Sequence, residues 1–228
     1  EFIAQDSGTL TIATTHTQAR YSLPRVVTEF KRRYPNVHLA LQQGNPVQIG
    51  EMVEAGSADI GIATEALDSF SNLLALPGYN WTHCVVVPPT HPLAGATRPS
   101  LETLARYPIV TYDKAFAGHS NIDAAFAARG ITPDIVLAAI DADVIKTYAE
   151  SGLGIGIVAS VAYDAGRDRG LTMVDASHLF RTNTTRVAIR RNALLRGYAF
   201  EFISLFAPQL TRHSVEAALA GATDDYEL

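Results

Sequence analysis

The segment Thr14-Thr15-His16-Thr17-Gln18 sets three hydroxyls, an imidazole and a carboxamide side by side. It follows a run rich in branched residues, Thr9 to Thr15, and precedes an amphipathic helical pattern, so it lies where a strand ends and a helix begins. A helix N-terminus presents unpaired N–H groups and a partial positive charge, which attract anions. Hydroxyls, an amide and those N–H groups together can surround a small oxyanion without any fixed cation. Thr64, at the carboxyl end of the apolar run from Asp59, is placed to point into the same crevice. The same threonines would serve equally well as helix caps and strand-end residues. A second segment, Thr111 to Ser120, leads into its own helix and offers Ser120 and the backbone N–H groups of Ala117, Gly118 and His119 as donors. It also suits a surface loop that ends in an N-cap serine.

Sharper chemistries fail on spacing. Gly152-Leu153-Gly154-Ile155-Gly156 follows a helix and leads into a strand, the reverse of a dinucleotide fingerprint, and reads as tight packing of a helix-to-strand turn. His16, His83, His91 and His119 show no His-x-x-x-His spacing, so no metal is expected. Cys84 stands in an apolar strand as a small buried residue. No Gly-x-Ser-x-Gly elbow and no pair of carboxylates suggests a catalytic residue. Asp141 and Asp143 read as a helix cap and a first-turn acid. The chain is expected to hold something rather than transform it, with no cofactor.

The elements that must position these residues alternate. After the first strand comes a helix with Val26, Val27, Phe30 and Tyr34 on one face, stopped by Pro35. A strand from Val37 to Gln42 follows, then a helix from Pro46 to Gly56 and a strand from Asp59 to Thr64. Short connections imply parallel strands and right-handed crossovers. The plan then repeats: strands at His83–Pro88, Ile109–Tyr112, Ile135–Ile140 and Ile155–Ala159, with helices at Leu101–Tyr107, near Asn121–Arg129, and after Asp141 up to Gly152. No residue-level repeat is visible. A late strand, Thr184–Arg190, and a late helix, Tyr198–Phe206, precede what reads as a frayed tail. Pro77-Gly78 marks one crossing between lobes and Arg181-Thr182-Asn183-Thr184 the return. The expected fold is α/β, two Rossmann-like lobes: lobe I at 8–79 and 181–212, lobe II at 80–180, and a tail at 213–228. A ligand would sit in the cleft, at strand carboxyl ends and helix N-termini.

The 228 residues, with 18 Lys+Arg against 23 Asp+Glu, carry a net charge of -5. That balance lacks the basic excess that nucleic-acid binding needs. A single cysteine excludes an intrachain disulfide and any multi-thiolate metal site. No apolar run reaches the ~18 residues that a membrane span requires. The start, Glu1-Phe2-Ile3, has neither initiator Met nor signal segment and reads as a fragment or a processed form.

Five stretches occurring in order carry a resemblance: 14–24, Ala58-Asp-Ile-Gly-Ile-Ala-Thr-Glu65, His91-Pro-Leu93, Asp141-Ala-Asp-Val-Ile-Lys-Thr-Tyr148 and Gly152-Leu-Gly-Ile-Gly-Ile-Val158. Together they resemble the effector-binding domain of LysR-type transcriptional regulators, in the CysB- and Cbl-like sulfur-assimilation branch, over residues 8 to 212. The resemblance implies a periplasmic-binding-protein-like pair of lobes, a cytoplasmic regulator and no enzyme activity. It implies an amino-terminal winged helix-turn-helix, outside this stretch, through which promoter DNA is bound. It also implies an antiparallel homodimer, the helix of Val26–Tyr34 packing on the mate's helix at Asn121–Arg129, and a homotetramer at full length. The implied effector is a small anion, such as sulfate, an acetylserine or adenosine phosphosulfate, held by Thr15, His16, Thr17, Gln18 and Thr64 in one lobe. Related members read Thr-Gly-Arg-Ser where this chain has Ala117-Gly118-His119-Ser120. The loss of one hydroxyl and one guanidinium implies a different or bulkier ligand, with pH-dependent binding through His119. Two other readings fit the residues alone: a periplasmic oxyanion-binding protein of an uptake system, and an enzyme acting on a phosphate or sulfate ester.

Overall fold

The structure, a computed structural model, describes residues 7–116 and 118–221. These divide into two compact α/β units, one reaching to Asn80 and resuming at Thr184, the other Trp81–Asn183. No helix among the described residues is long and apolar enough to cross a membrane.

In the first unit β1 (Gly8–Thr14) pairs in parallel with β2 (Val37–Gln43) on one side and β3 (Ile60–Ala63) on the other. β10 (Asn183–Arg190) runs antiparallel to β3, and β4 (Leu73–Trp81) closes the order β2-β1-β3-β10-β4. The helix α1 (Leu23–Arg33) takes Pro24 in its first turn and buries Leu23, Val26 and Phe30 at helical spacing. Phe30 meets Phe202 of α6 (Gly197–Phe206) edge-on at 5.4 Å between ring centroids. On the outside Glu29 holds Arg32 and Arg33, and Arg33 also reaches Glu201 of α6. The helix α2 (Pro46–Ala55) begins in a reciprocal cap between Asn45 and Gln48 and ends at Gly56 with φ 79°, the left-handed position that glycine takes most easily.

In the second unit β5 (His83–Val87) runs antiparallel to β8 (Ile155–Ala159) and β9 (Thr172–Asp175). β6 (Ile109–Tyr112) runs parallel to β7 (Ile135–Ala139) and β8, giving the order β7-β6-β8-β5-β9. The short α3 (Leu101–Leu104) is capped by Ser100, and α4 (His119–Ala128) buries Ile122 and Phe126. Asp141 accepts the backbone N–H of Val144 at 2.9 Å and caps α5 (Ala142–Glu150), as its position predicts. One turn later Lys146, 6% exposed, donates to the Ala162 carbonyl at 2.8 Å and to Asp168 at 3.0 Å. A buried ammonium is tolerable only when its hydrogens are taken up in this way.

Two sequence expectations are corrected, and two strands without a sequence signal appear. Pro77-Gly78 is not a linker but lies inside β4, an edge strand, where sheets tolerate proline, and the chain leaves the first unit two residues later, after Asn80. β4 and the four-residue β9 show no alternating pattern, because proline interrupts the first and the second is too short to display one. The frayed tail from 213 is in part a helix, α7 (Arg212–Leu219), capped by Thr211 and burying Val215 and Ala218; residues 222–228 lie outside the described residues.

The two sheets share one spatial arrangement, and in both the fourth strand runs antiparallel to the third, although that strand comes last in the first unit and first in the second. A residue-level repeat accompanies it. Ile60-Gly61-Ile62 and Ile155-Gly156-Ile157 occupy equivalent strands. A Cβ on Gly61 would stand 2.8 Å from Val53 and 3.1 Å from Ile49 of α2; one on Gly156 would stand 3.2 Å from Ala149 and 3.3 Å from Ile145 of α5, and 2.7 Å from Val86. Each glycine therefore lets a helix seat two residues four apart directly on the sheet. Gly156→Ala is expected to destabilise the chain by roughly 1–3 kcal/mol through overpacking. Gly95→Ala, where a Cβ meets nothing within 4 Å, should leave the urea unfolding midpoint nearly unchanged.

Candidate functional site

β1 ends at Thr14, whose buried hydroxyl donates to the Ile62 carbonyl of β3 at 3.1 Å. Thr111 of β6 makes the same bond to Ile157 of β8, also at 3.1 Å, so each unit pins its central strand's carboxyl end in the same way. After Thr14 the chain turns helical at His16, and the first intrahelical bond runs from the Ala19 N–H to the Thr15 carbonyl at 3.0 Å. The N–H groups of Thr17 and Gln18 precede that bond and have no carbonyl one turn back within the helix. Among the described residues the hydroxyls of Thr15 and Thr17 make no hydrogen bond, and Thr17 forms no side-chain cap. The capping role that would explain these threonines blandly is therefore not realised.

The helix does not enter α1 directly. Gln18–Ser22 form a π turn, closed by the Leu23 N–H on the Gln18 carbonyl. Such widened turns carry one extra residue and recur at functional sites. Gln18 is 3% exposed, and its amide is held at both ends: the Tyr79 hydroxyl donates to Oε1 at 2.8 Å, and Nε2 donates to Thr185 Oγ1 at 3.3 Å. Ser22 Oγ lies 2.7 Å from the Tyr79 hydroxyl, and Thr64 Oγ1 lies 3.2 Å from Thr185 Oγ1. The structure thus joins Gln18 to Thr64 through Thr185, while Thr15, His16 and Thr17 line up at the helix start. Thr185, Tyr79 and Ser22 escaped sequence reasoning. Thr185 lies in the polar run Arg181 to Arg186 that opens β10, and it is fully buried there, a position that residue type alone does not reveal.

In the second unit Gly118 takes φ 68°, and a Cβ there would lie 2.1 Å from Asn183 Oδ1, so both backbone and space require glycine. The backbone N–H of His119, expected to be available for a ligand, is instead spent on the Phe116 carbonyl at 3.0 Å in the turn that opens α4. The His119 ring is buried, with Nδ1 3.2 Å from Asp123 Oδ2 one turn on. Ser120 is exposed on the first turn of α4, and Ala117 lies outside the described residues. The glycine-rich stretch behaves as a turn: Gly152 takes φ 83° after α5, and a Cβ on Gly154 would lie 2.5 Å from the Pro108 carbonyl.

The described chain is thus two α/β units, the first of which gathers polar donors at its strand-to-helix junction. The family model for the LysR substrate binding domain matches residues 4–211, and the chain belongs to that family. Two regulators of Burkholderia cenocepacia are similar along nearly the whole chain. The transcriptional regulator CysB is 53% identical over 228 residues, all of this chain and 73% of that protein. The regulator SsuR is 55% identical over 221 residues, 97% of this chain and 70% of that protein. Among solved structures, the cofactor-binding domain of the Cbl transcriptional regulator matches at 43% identity with a TM-score of 0.90, covering 95% of each chain. The chain's place is thus among LysR-type regulators of the CysB, SsuR and Cbl kind.

Cys84, set aside as a nucleophile on sequence, is buried in β5 opposite Asp175 of β9. Burial first, and the Asp175 charge second, push its thiol up to about 12. The folded chain therefore holds this proton more tightly than the unfolded chain. Its contribution to stability is complete below the ordinary thiol pKa of about 8.5 and is lost as pH rises through about 12. Cys84→Ala is expected to flatten the decline of unfolding free energy measured between about pH 8.5 and 10.5, and iodoacetamide should label the native thiol only after unfolding.

Proposed function

We propose that this chain is the effector-sensing domain of a LysR-type transcriptional activator of sulfur assimilation, serving cysteine-biosynthesis or sulfonate-utilisation genes. Its effector is a small anionic sulfur metabolite or an acetylserine. The observation that carries the reading is the pair of unspent hydroxyls on Thr15 and Thr17, at a helix start beside the buried Gln18 amide. A neutral ring of donors binds an oxyanion without a counter-charge because the helix N-terminus supplies partial positive charge. Thr15, Thr17, Gln18 and Thr64 form the contacts of the first unit, with His16 beside them. Gly118, His119 and Ser120, with Ala117, form those of the second unit. The relatives named CysB, SsuR and Cbl support the sulfur assignment.

In this reading the effector works by binding one conformation of the domain better than another, since a ligand shifts an equilibrium only by its differential affinity. The domain acts as a homodimer, as a homotetramer in the full-length regulator, in the cytoplasm. DNA is bound through a separate amino-terminal domain. His119 and Ala117, where related members carry arginine and threonine, set this chain's effector apart from theirs.

A thermal-shift screen with sulfate, thiosulfate, acetylserines and adenosine phosphosulfate should raise the melting temperature for at least one compound, because a ligand of the native state stabilises it. Thr15→Ala and Thr17→Ala are each expected to weaken that compound by roughly 1–3 kcal/mol, one to two hydrogen bonds. Calorimetry showing unchanged affinity in both variants would remove the site.

A further inference from the structure

The Gln18 carboxamide is the one group of the anion site whose meaning depends on which way round it sits. Its nitrogen donates and its oxygen accepts. Turned one way it serves an anion; turned the other it repels one. Every partner it has is a hydroxyl, and hydroxyls both donate and accept. In the observed arrangement Tyr79 donates to Gln18 Oε1 and Gln18 Nε2 to Thr185; with its one proton used in this way, Tyr79 can only accept from Ser22, 2.7 Å away. The reversed arrangement would join the same residues, with Thr185 donating to Oε1 and accepting from Thr64, Nε2 donating to Tyr79 and Tyr79 donating to Ser22.

What separates the two is the phenol. A phenol is a better donor and a poorer acceptor than an aliphatic hydroxyl, and an amide carbonyl is a better acceptor than a serine oxygen. The observed direction uses the phenol as donor to the amide carbonyl. The reversed one makes it accept from the amide and donate to serine. We propose that Tyr79 is a specificity-determining positioning residue: its phenol fixes the polarity of the Gln18 amide, so that Oε1 is covered and the site meets an oxyanion with N–H. The second Nε2 hydrogen, unclaimed among the described residues, is the donor kept for the ligand. This role deepens the anion-site reading above and rests on it. Tyr79 lies on β4 and Thr185 on β10, so the amide is gripped by two strands that neighbour one another in the sheet.

The test is a double-mutant cycle on the whole chain, with inorganic sulfate titrated calorimetrically into the wild type, Tyr79→Phe, Gln18→Ala and the double variant, alongside 15N NMR of the Gln18 side-chain amide. The wild type is expected to give two resolved, slowly exchanging Nε2 proton signals. Tyr79→Phe should average or broaden them and raise the sulfate dissociation constant about tenfold, the equivalent of one hydrogen bond. The double variant should bind no more weakly than Gln18→Ala alone. Ser22→Ala, a gentler change that removes only the donor to Tyr79, should shift the same amide signals and weaken sulfate about threefold. Additive losses in the cycle, or an amide signal indifferent to both Tyr79→Phe and Ser22→Ala, overturn the assignment while leaving the anion site standing. Unchanged sulfate affinity in Gln18→Ala overturns the anion site itself, and the role of Tyr79 with it.

Discussion

A neutral carboxamide buried to 3% exposure sets the terms for the first unit. Left unpaired, such a group costs about 1–3 kcal/mol. Here three hydroxyl residues from separate parts of the chain converge on it or on its partners: Ser22 from the π turn, Tyr79 from β4 and Thr185 from β10. Satisfying one amide therefore requires β10 and β4 to lie where the sheet order puts them and the first helix to begin one residue wider than an α-helix would. Gln18, Ser22, Tyr79 and Thr185 are themselves uncharged. Any negative charge that enters must be met by oriented dipoles, and their orientation is a matter of chemistry rather than of packing alone.

The second unit shows how much of this design is architectural and how much is specific. The strand order, the antiparallel fourth strand, the threonine that pins the central strand and the glycine under the helix all recur. The glutamine amide held by hydroxyls does not; the buried carboxamide at the second junction is Asn183, which Asn121 meets at 2.9 Å. At the corresponding junction α4 begins instead from a left-handed glycine packed against Asn183, with an imidazole leaning on Asp123. The recurring features are those that a sheet with helices needs to close. The features that differ lie at the junctions proposed above as the anion site.

Most of the fold was legible because its signals are local. Branched runs, Pro46 and the Asp141 cap, and glycines closing α2 and α5 each announce an element within a few residues. β4 was not, because Pro77 breaks the pattern and only its edge position, a property of the finished sheet, excuses the proline. The helix within the supposed tail was hidden by a polar composition whose two buried positions, Val215 and Ala218, matter only against a core built elsewhere. The candidate site divided along the same line. The contiguous hydroxyls from Thr15 to Thr17 could be read from spacing, whereas Tyr79 and Thr185, about 60 and 170 residues further along, join Gln18 only through the fold. The spent N–H of His119 is likewise a detail of turn geometry that residue types do not encode.

The widened turn at Gln18–Ser22 has an implication for how such a domain varies over time. A π turn is an α-helix with one residue added, and each residue rotates a helix by about 100°. Loss of a single codon there would restore a regular helix, and the hydrophobic face of Leu23, Val26 and Phe30 would still find its seat. Everything ahead of the deletion would swing around the axis, carrying the carboxamide away from its phenol. That shortened chain would forfeit the pairing of a buried amide, a cost of about 1–3 kcal/mol, so the surplus residue is tied to the fold of the first unit as well as to whatever the amide meets.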